Sequence, residues 1–136
     1  MSPRATEFLQ NVLNPSEAIR ATTMKVASSL SESDATAIFD AICQRLSQTE
    51  GALVDSIPLK AQQEFCAARK DLLGQFIAFW SNITEDRVPF SMPPKVALLC
   101  KGTPFADSAT ALVSKWSVST ANTRLAKAAT DHLAKK

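Results

Sequence analysis

Apolar residues recur at steps of three and four along most of this chain, the spacing that places side chains on one face of an α-helix. The pattern is clearest between Asn14 and Gln48, where two such series follow one another. A short polar run, Ser31 to Asp34, separates them and supplies side chains that accept hydrogen bonds from the free amides of a first helical turn. We therefore predict two nearly antiparallel helices that share a core, as in a helical stack. The predicted buried positions are Ile19, Thr23, Val26, Ala27 and Leu30 in the first helix and Ala35, Ile38, Phe39, Ile42 and Leu46 in the second.

The rest of the chain continues the helical pattern, with two interruptions. The segment from Glu50 to Pro58 is predicted to be an ordered loop, and the segment from Asn82 to Pro94, which holds three prolines, an irregular crossing. No run of alternating β-branched residues supports a strand, so the sequence predicts an all-α fold of about seven helices. The further predicted helices are Arg4–Leu13, Leu59–Trp80, Pro94–Cys100 and Thr120–Ala134. Between the last two, Thr103 and Pro104 open another predicted helix, whose buried residues are Phe105, Ala109, Leu112, Val113 and Trp116.

Length and composition favour one domain over residues 1–136. The chain is 46% hydrophobic, which is enough apolar mass for a core. We expect neither a secretory signal nor a membrane span, and an intracellular protein. Residues 94–136 carry 7 Lys/Arg against 2 Asp/Glu, so this third is basic although the whole chain has a net charge of only +2. A basic segment can attract an acidic or phosphorylated partner, but the excess is modest, and the pattern favours a solvated face.

Residues that support catalysis or cofactor binding are scarce in the sequence. The single histidine, His132, lies one turn from the C-terminus, and it is too far along the chain from Cys43, Cys66 and Cys100 to share a metal-site motif with them. The three glycines form no phosphate-binding motif. We therefore expect no enzyme activity, no cofactor and no metal. Scattered basic residues and the absence of tyrosine argue against direct nucleic-acid binding, and the two tryptophans, Trp80 and Trp116, are predicted to be core residues.

The order of the segments resembles the CTD-interacting domain (CID) family of RNA polymerase II cofactors, over nearly the whole chain. The segments that carry this resemblance are FLQNVLNPSEAIRATTMKVASSL, SDATAIFDAICQRLSQ, ARKDLLGQF and ATALVSKWSV. In the family, a turn with Asn, Ser and Pro precedes the second helix, and the third helix is capped by Ser or Asp. The fourth helix carries an aspartate, and the seventh ends on a tryptophan. Asp71 and Trp116 occupy those places. The resemblance implies a right-handed superhelix of seven to eight stacked antiparallel helices.

The resemblance also implies a ligand and a site. The ligand is an extended, sometimes phosphorylated peptide from the C-terminal tail of RNA polymerase II, and the implied setting is nuclear transcription termination or RNA 3′-end processing, together with other proteins of those processes. Asp71 would accept a hydrogen bond from a tyrosine hydroxyl or a peptide amide. The implied peptide-binding residues are Ser16, Ile19, Asp71, Gln75 and Lys115.

Several positions depart from the family pattern, and other readings stay open. Where the family often has an arginine early in the seventh helix this chain has Ala106 and Asp107, and Phe76 stands where an asparagine is common. Asp55, in ALVDSI, is a rival to Asp71. The stacked-helix architecture is shared by VHS and ENTH trafficking adaptors, and TALVSKW is similar to the LW module of elongation factors, so an adaptor and a scaffold subunit of a larger transcription complex are alternatives.

Overall fold

The computed structural model describes residues 2–48 and 57–135, and the chain divides into two compact units, Met1–Leu72 and Leu73–Lys136. The described residues form eight α-helices, with short 3-10 turns at Ala27–Ser29, Lys70–Leu72 and Glu85–Arg87, and contain no strand. The all-α prediction is confirmed. The helices are α1 Pro3–Val12, α2 Glu17–Met24, α3 Glu32–Ser47, α4 Ile57–Ala68, α5 Leu73–Asn82, α6 Met92–Cys100, α7 Ala106–Ser117 and α8 Thr123–Ala134.

The first unit is built around α1 and α4. Helix α1 packs against α2 and α3, while α4 also packs against both. The rings of Phe8 and Phe65 meet with centroids 5.5 Å apart, which joins α1 to α4 in the core. Ser2 caps α1 by accepting from the amide of Ala5, and its hydroxyl bonds the Asp34 carboxylate of α3. The predicted buried positions of α3 are confirmed: Ala35, Ile38, Phe39, Ile42 and Leu46 are all in the core.

Helix α2 differs from its prediction. It ends at Met24, and of the predicted buried face only Ala27 and Leu30, beyond its end, reach the core. Ile19 and Val26 are 42% and 50% exposed, so their predicted burial is wrong. The residue of α2 that is buried is Arg20, because its guanidinium finds backbone and carboxylate partners inside the unit. An arginine with satisfied donors occupies the inner face, which leaves the apolar side chains outside.

The predicted continuous helix from Leu59 to Trp80 is also wrong, because it breaks at Arg69 into α4 and α5. The Arg69 amide donates to the carbonyl of Phe65 at 2.8 Å and ends α4, and a 3-10 turn follows. The Arg69 side chain forms a two-bond pair with Asp71, two positions on. Residues two apart on an α-helix point to different sides, so this pair requires the chain to leave helical geometry.

In the second unit α7 packs against α5, α6 and α8. Trp80 and Trp116 are fully buried, as predicted, together with Ala109, Leu112 and Val113 of α7. Gly102, two positions after the last residue of α6, has a φ of +72°, a left-handed conformation that suits glycine after a helix. Helix α6 begins at Met92, ahead of the predicted Pro94.

Asn122 fastens the segment before α6 to the start of α8. Its side-chain oxygen accepts from the amide of Leu125 and caps α8, while its amide nitrogen donates to the carbonyls of Glu85 at 2.9 Å and Val88 at 3.0 Å. This side chain makes α8 begin at Thr123 rather than at the predicted Thr120. The Asn122 side chain thus supplies hydrogen bonds both to the first turn of α8 and to backbone carbonyls of the irregular segment.

Two predictions from the sequence are not tested by the structure. The single domain over residues 1–136 stays a prediction. The loop predicted from Glu50 to Pro58, including the alternative site residue Asp55, lies outside the described residues except for its end, where Ile57 and Pro58 form the first turn of α4. Across the described residues, every helix is too short or too polar to cross a membrane.

Candidate functional site

Asp71, the central residue of the predicted site, is part of a hydrogen-bonded latch. Arg69 donates from Nε to Asp71 Oδ1 at 3.0 Å and from Nη2 to Oδ2 at 2.9 Å. The third nitrogen, Nη1, donates to the carbonyls of Ala27 at 3.1 Å and Leu30 at 2.8 Å, which flank the 3-10 turn after α2. We call Arg69, Asp71 and these two carbonyls the Arg69 latch. Asp71 therefore has a structural partner in the free protein.

The Asp71 carboxylate of the latch is still accessible to solvent. The Asp71 side chain is 50% exposed, whereas that of Arg69 is only 12% exposed. A carboxylate offers about four lone-pair positions, and Arg69 uses one on each oxygen. Asp71 is thus able to hold Arg69 and accept a further hydrogen bond from a ligand donor.

Electrostatics favour the charged form of both partners. The hydrogen bonds from Arg69 hold the pKa of the Asp71 carboxyl below its usual value, and the same contact raises the pKa of the Arg69 guanidinium. Because folding lowers the pKa of this carboxyl, the Arg69–Asp71 pair stabilises the folded state at pH values above the unfolded-state pKa, about 3.9. This stabilisation is lost as the pH falls through the folded-state pKa. The candidate acceptor is therefore an anion at neutral pH.

Replacing Asp71 with asparagine is expected to lower the free energy of unfolding by about 0.5–1 kcal/mol at neutral pH, because the pair is charge-assisted but half in water. The difference from wild type should shrink in acid, where the wild-type carboxylate becomes protonated. Urea denaturation at a series of pH values measures it. Lys70→Ala, at the exposed neighbour in the same turn, is the control, and an equal effect of both substitutions across the pH range would contradict the latch.

Ser16 and Ile19 lie together at the start of α2. Ser16 is the N-cap, and its hydroxyl oxygen accepts from the amide of Ile19 at 3.4 Å. Ile19 and Thr23 lie on one face of α2, four residues apart, and Val26 follows in the turn just after α2 ends. We call these three residues the α2 stripe. The Thr23 hydroxyl donates to the carbonyl of Ile19 at 2.7 Å, so the stripe is less polar than its composition indicates.

A cleft of about 180 Å³ borders the α2 stripe on the side of α1. Thr23 and Val26 form one wall, and Arg4, Glu7, Phe8 and Asn11 of α1 form the other. This volume is smaller than that of pockets for drug-sized ligands, and it matches a single side chain. The surface therefore suits a polypeptide that inserts one residue, rather than a small molecule.

The structure places Asp71 at the opposite end of α2 from Ser16. Arg69 lies between Asp71 and the carbonyls of Ala27 and Leu30 and donates to both, which places Asp71 beyond the end of α2. Eight helical residues rise about 12 Å, so a ligand that touches both ends must be extended. Ser16, Ile19 and Asp71 all belong to the first unit.

Gln75 and Lys115, the other two predicted site residues, belong to the second unit. Gln75 is exposed in the first turn of α5. Lys115 is exposed on α7, and its ammonium donates to the carbonyl of Ser81 at 3.0 Å, in the last turn of α5. Lys115 therefore satisfies a helix-end carbonyl, which is a structural role beside the predicted one.

Sequence reasoning missed Arg20, the buried cation beneath the α2 stripe. Its Nη1 donates to the carbonyls of Asn14 at 2.9 Å and Pro15 at 3.2 Å, and its Nε lies 3.3 Å from Glu64 Oε1 of α4. These bonds hold the turn before α2 and fix the outward direction of the stripe. Arginine next to an apolar residue in an amphipathic pattern gives no sign of burial, so the sequence offered no signal for it.

The three cysteines lie in helices as thiols, and Cys43 is partly exposed. Cys66 and Cys100 are buried. Burial raises the pKa of the Cys43 thiol to about 12, and Gln62 donates to its sulfur at 3.3 Å. Within residues 2–48 and 57–135, no three His, Cys, Asp or Glu side chains cluster in a way that would hold a metal ion.

Comparisons with known proteins add no relative. No protein-family model, no curated protein and no solved structure matches this chain. The resemblance to the CID family therefore stays a prediction that rests on the quoted residues.

Proposed function

We propose that this chain is a non-catalytic module that binds an extended peptide along α2, as the domains that dock the RNA polymerase II tail do. The observation that carries the proposal is the α2 stripe: Ile19 is 42% exposed on α2, whose inner face holds the buried Arg20, and Val26 is 50% exposed just after α2 ends. Apolar side chains turned outward beside a side-chain-sized cleft fit a protein ligand.

The proposed peptide runs from Ser16 toward the Arg69 latch. Its apolar side chain would enter the cleft beside Val26, and a tyrosine hydroxyl or backbone amide would donate to the outer lone pairs of Asp71. Its backbone, extended at about 3.3 Å per residue, covers the length of α2 with four residues. Gln75 and Lys115 are further proposed contacts, in the right-handed superhelix that the resemblance implies.

The proposed setting is the nucleus, in transcription termination or RNA 3′-end processing, with partners among the proteins of those processes. A carboxylate at one end and an apolar stripe along the helix require neither a cofactor nor a metal. The departures at Ala106 and Asp107 favour an unphosphorylated tail, because a carboxylate replaces the family's phosphate-binding arginine.

The first test is the affinity of polymerase tail peptides, unphosphorylated and serine-phosphorylated, measured by fluorescence anisotropy. Ile19→Ala should weaken binding about fivefold, because the removed apolar area is worth roughly 1 kcal/mol. Val118→Ala is the matched control, since Val118 is also an exposed apolar residue, at 77%, and lies in the second unit outside the proposed site. Equal affinity of the two variants, or no binding at millimolar peptide, would overturn the proposal.

A second pair of variants separates the direct role of Asp71 from its structural role. Asp71→Asn removes the charge that the peptide donor would meet, whereas Arg69→Lys disrupts the two-bond pair and keeps the carboxylate. The proposal requires Asp71→Asn to bind more weakly than Arg69→Lys. The reverse order would mean that Asp71 acts only through the fold.

A trafficking adaptor is the other class with a similar architecture. Membrane-binding members of that class would need a basic apolar helix, and α1 carries Arg4 and Glu7 on a helix whose apolar residues, Phe8 and Val12, are buried. The exposed apolar residues favour a protein ligand over a lipid surface.

A further inference from the structure

The second unit carries an open apolar groove on its own surface. It has a volume of about 640 Å³ and is formed by the outer face of α6, the first turns of α7 and the end of α8. Leu98 projects from it with 72% of its surface exposed. The floor is formed by small or flat residues, and one lysine and one histidine belong to the lining, which consists of Pro94, Ala97, Leu98, Lys101, Gly102, Ala106, Thr110 and His132.

The α6 side of the groove is a continuous helical face. Pro94, Ala97, Leu98 and Lys101 follow the steps of three and four that align side chains along a helix. Short side chains at its floor let another backbone approach closely, and Leu98 supplies a projecting anchor. A groove with these features is typical of the surfaces that take an amphipathic helix.

The charge around the groove specifies the sign of the partner. Lys101 and His132 belong to its lining, which includes no carboxylate among the described residues. Lys95 is exposed on α6, and Lys135 is exposed at the end of α8. Basic groups at the rim of an apolar surface attract and orient a ligand that carries negative charge.

Two carboxylates of the same unit are neighbours in sequence of lining residues. Asp131, next to His132, forms an ion pair with Lys127 at 3.0 Å, four positions earlier on α8. Asp107, next to Ala106, lies in the first turn of α7, where the helix dipole favours a negative charge. Neither is part of the lining, and among the described residues neither forms an ion pair with Lys101.

We propose that this groove, Pro94 to Lys101 with Ala106 and His132, is a second interaction surface that binds an acidic amphipathic helix of a partner protein. Apolar side chains of that helix would cover Leu98 and the floor between α6 and α7, and its Asp or Glu residues would meet Lys101. The proposal uses residues of the second unit alone and does not depend on the peptide site along α2.

Two synthetic peptides test it. Both have the same leucines at helical spacing, and one carries glutamates where the other carries lysines. The acidic peptide should bind at least tenfold more tightly than the basic one at low salt, and the difference should fall as salt is added. Equal binding of both peptides, tighter binding of the basic one, or no binding of the acidic one at millimolar concentration would overturn the proposal.

Variants locate the site. Leu98→Ala should weaken acidic-peptide binding about fivefold and Lys101→Glu by a similar factor, whereas Val118→Ala, an equally exposed apolar residue elsewhere in the unit, should leave it unchanged. Circular dichroism of each variant checks that the helices are retained. A loss of affinity in Val118→Ala equal to that in Leu98→Ala would contradict the assignment, as would an oligomer in sedimentation that Leu98→Ala dissociates, since a second copy would then occupy the groove.

Discussion

Replacing Trp116 with alanine is expected to lower the free energy of unfolding by about 3–5 kcal/mol, the usual cost of truncating a buried aromatic side chain. Trp116 is fully buried on α7, the helix that packs against α5, α6 and α8, so the cavity would lie at the centre of the second unit. Since the total stability of a domain is typically about 5–15 kcal/mol, this single change removes a large part of it. Urea denaturation followed by circular dichroism measures the loss.

Two controls separate cavity formation from a general effect of substitution in α7. Trp116→Phe keeps most of the aromatic volume and should cost less than half as much. Val118→Ala, two positions on and 77% exposed, should stay within about 0.5 kcal/mol of wild type. If Trp116→Ala were within 1 kcal/mol of wild type, the central position of this side chain would be wrong.

Arg20→Ala is expected to have the second largest effect, a loss of about 2–3 kcal/mol. The substitution removes the packed stem of the side chain and the donors to the Asn14 and Pro15 carbonyls and to Glu64. Polar groups left without partners in a partly buried place cost about 1–3 kcal/mol, and the lost packing adds to this. Urea denaturation again gives the value.

Arg20→Met and Glu64→Gln divide this effect into its parts. Methionine restores the apolar stem without the donors, so it should recover the packing and leave the hydrogen-bonding cost. Glutamine retains an acceptor for Nε and should cost less than 1 kcal/mol, because the Glu64 side chain is 37% exposed. A wild-type stability for Arg20→Ala would show that the turn before α2 is held by other contacts.

Helices whose apolar spacing coincides with their buried face were predictable from the sequence. In α3 and α7 the large apolar residues at steps of three and four are the residues in the core, and the remaining positions are mostly polar residues or alanine. The predicted ends of α1 and α6, which rest on the positions of proline and glycine, lie within two residues of the observed ends. These features depend on neighbours along the chain, which is what a sequence pattern records.

Features that depend on contacts distant in sequence were not predictable. The burial of Arg20 requires Glu64, forty-four residues away, and the break at Arg69 accompanies hydrogen bonds to the carbonyls of Ala27 and Leu30, about forty residues away. Both are polar interactions that override an apolar pattern. The same two deviations create the candidate site, because one turns the α2 stripe outward and the other fixes Asp71 beyond its end.

The candidate site was partly foreseeable. The resemblance named Ser16, Ile19 and Asp71, and the structure places all three in the first unit, at the two ends of α2. The resemblance gave no sign of the Arg69 latch, nor of the hydrogen bond from the Lys115 ammonium to the carbonyl of Ser81; the ligand role of Lys115 stays a prediction. The groove around Leu98 had no counterpart in the sequence pattern, because an exposed leucine on α6 looks like any other helical apolar residue.

A titration of the isotope-labelled protein with an unphosphorylated RNA polymerase II tail peptide, followed by amide NMR shifts, tests the proposed peptide site most directly. We expect the largest shifts at Ser16, Ile19, Val26 and Asp71, with smaller ones at Gln75, at Lys115 and along the α1 side of the cleft, and we expect Ile19→Ala to reduce them at equal peptide concentration. Shifts scattered over the chain with no maximum at these residues, or shifts confined to residues outside the proposed site, would contradict the proposed peptide site.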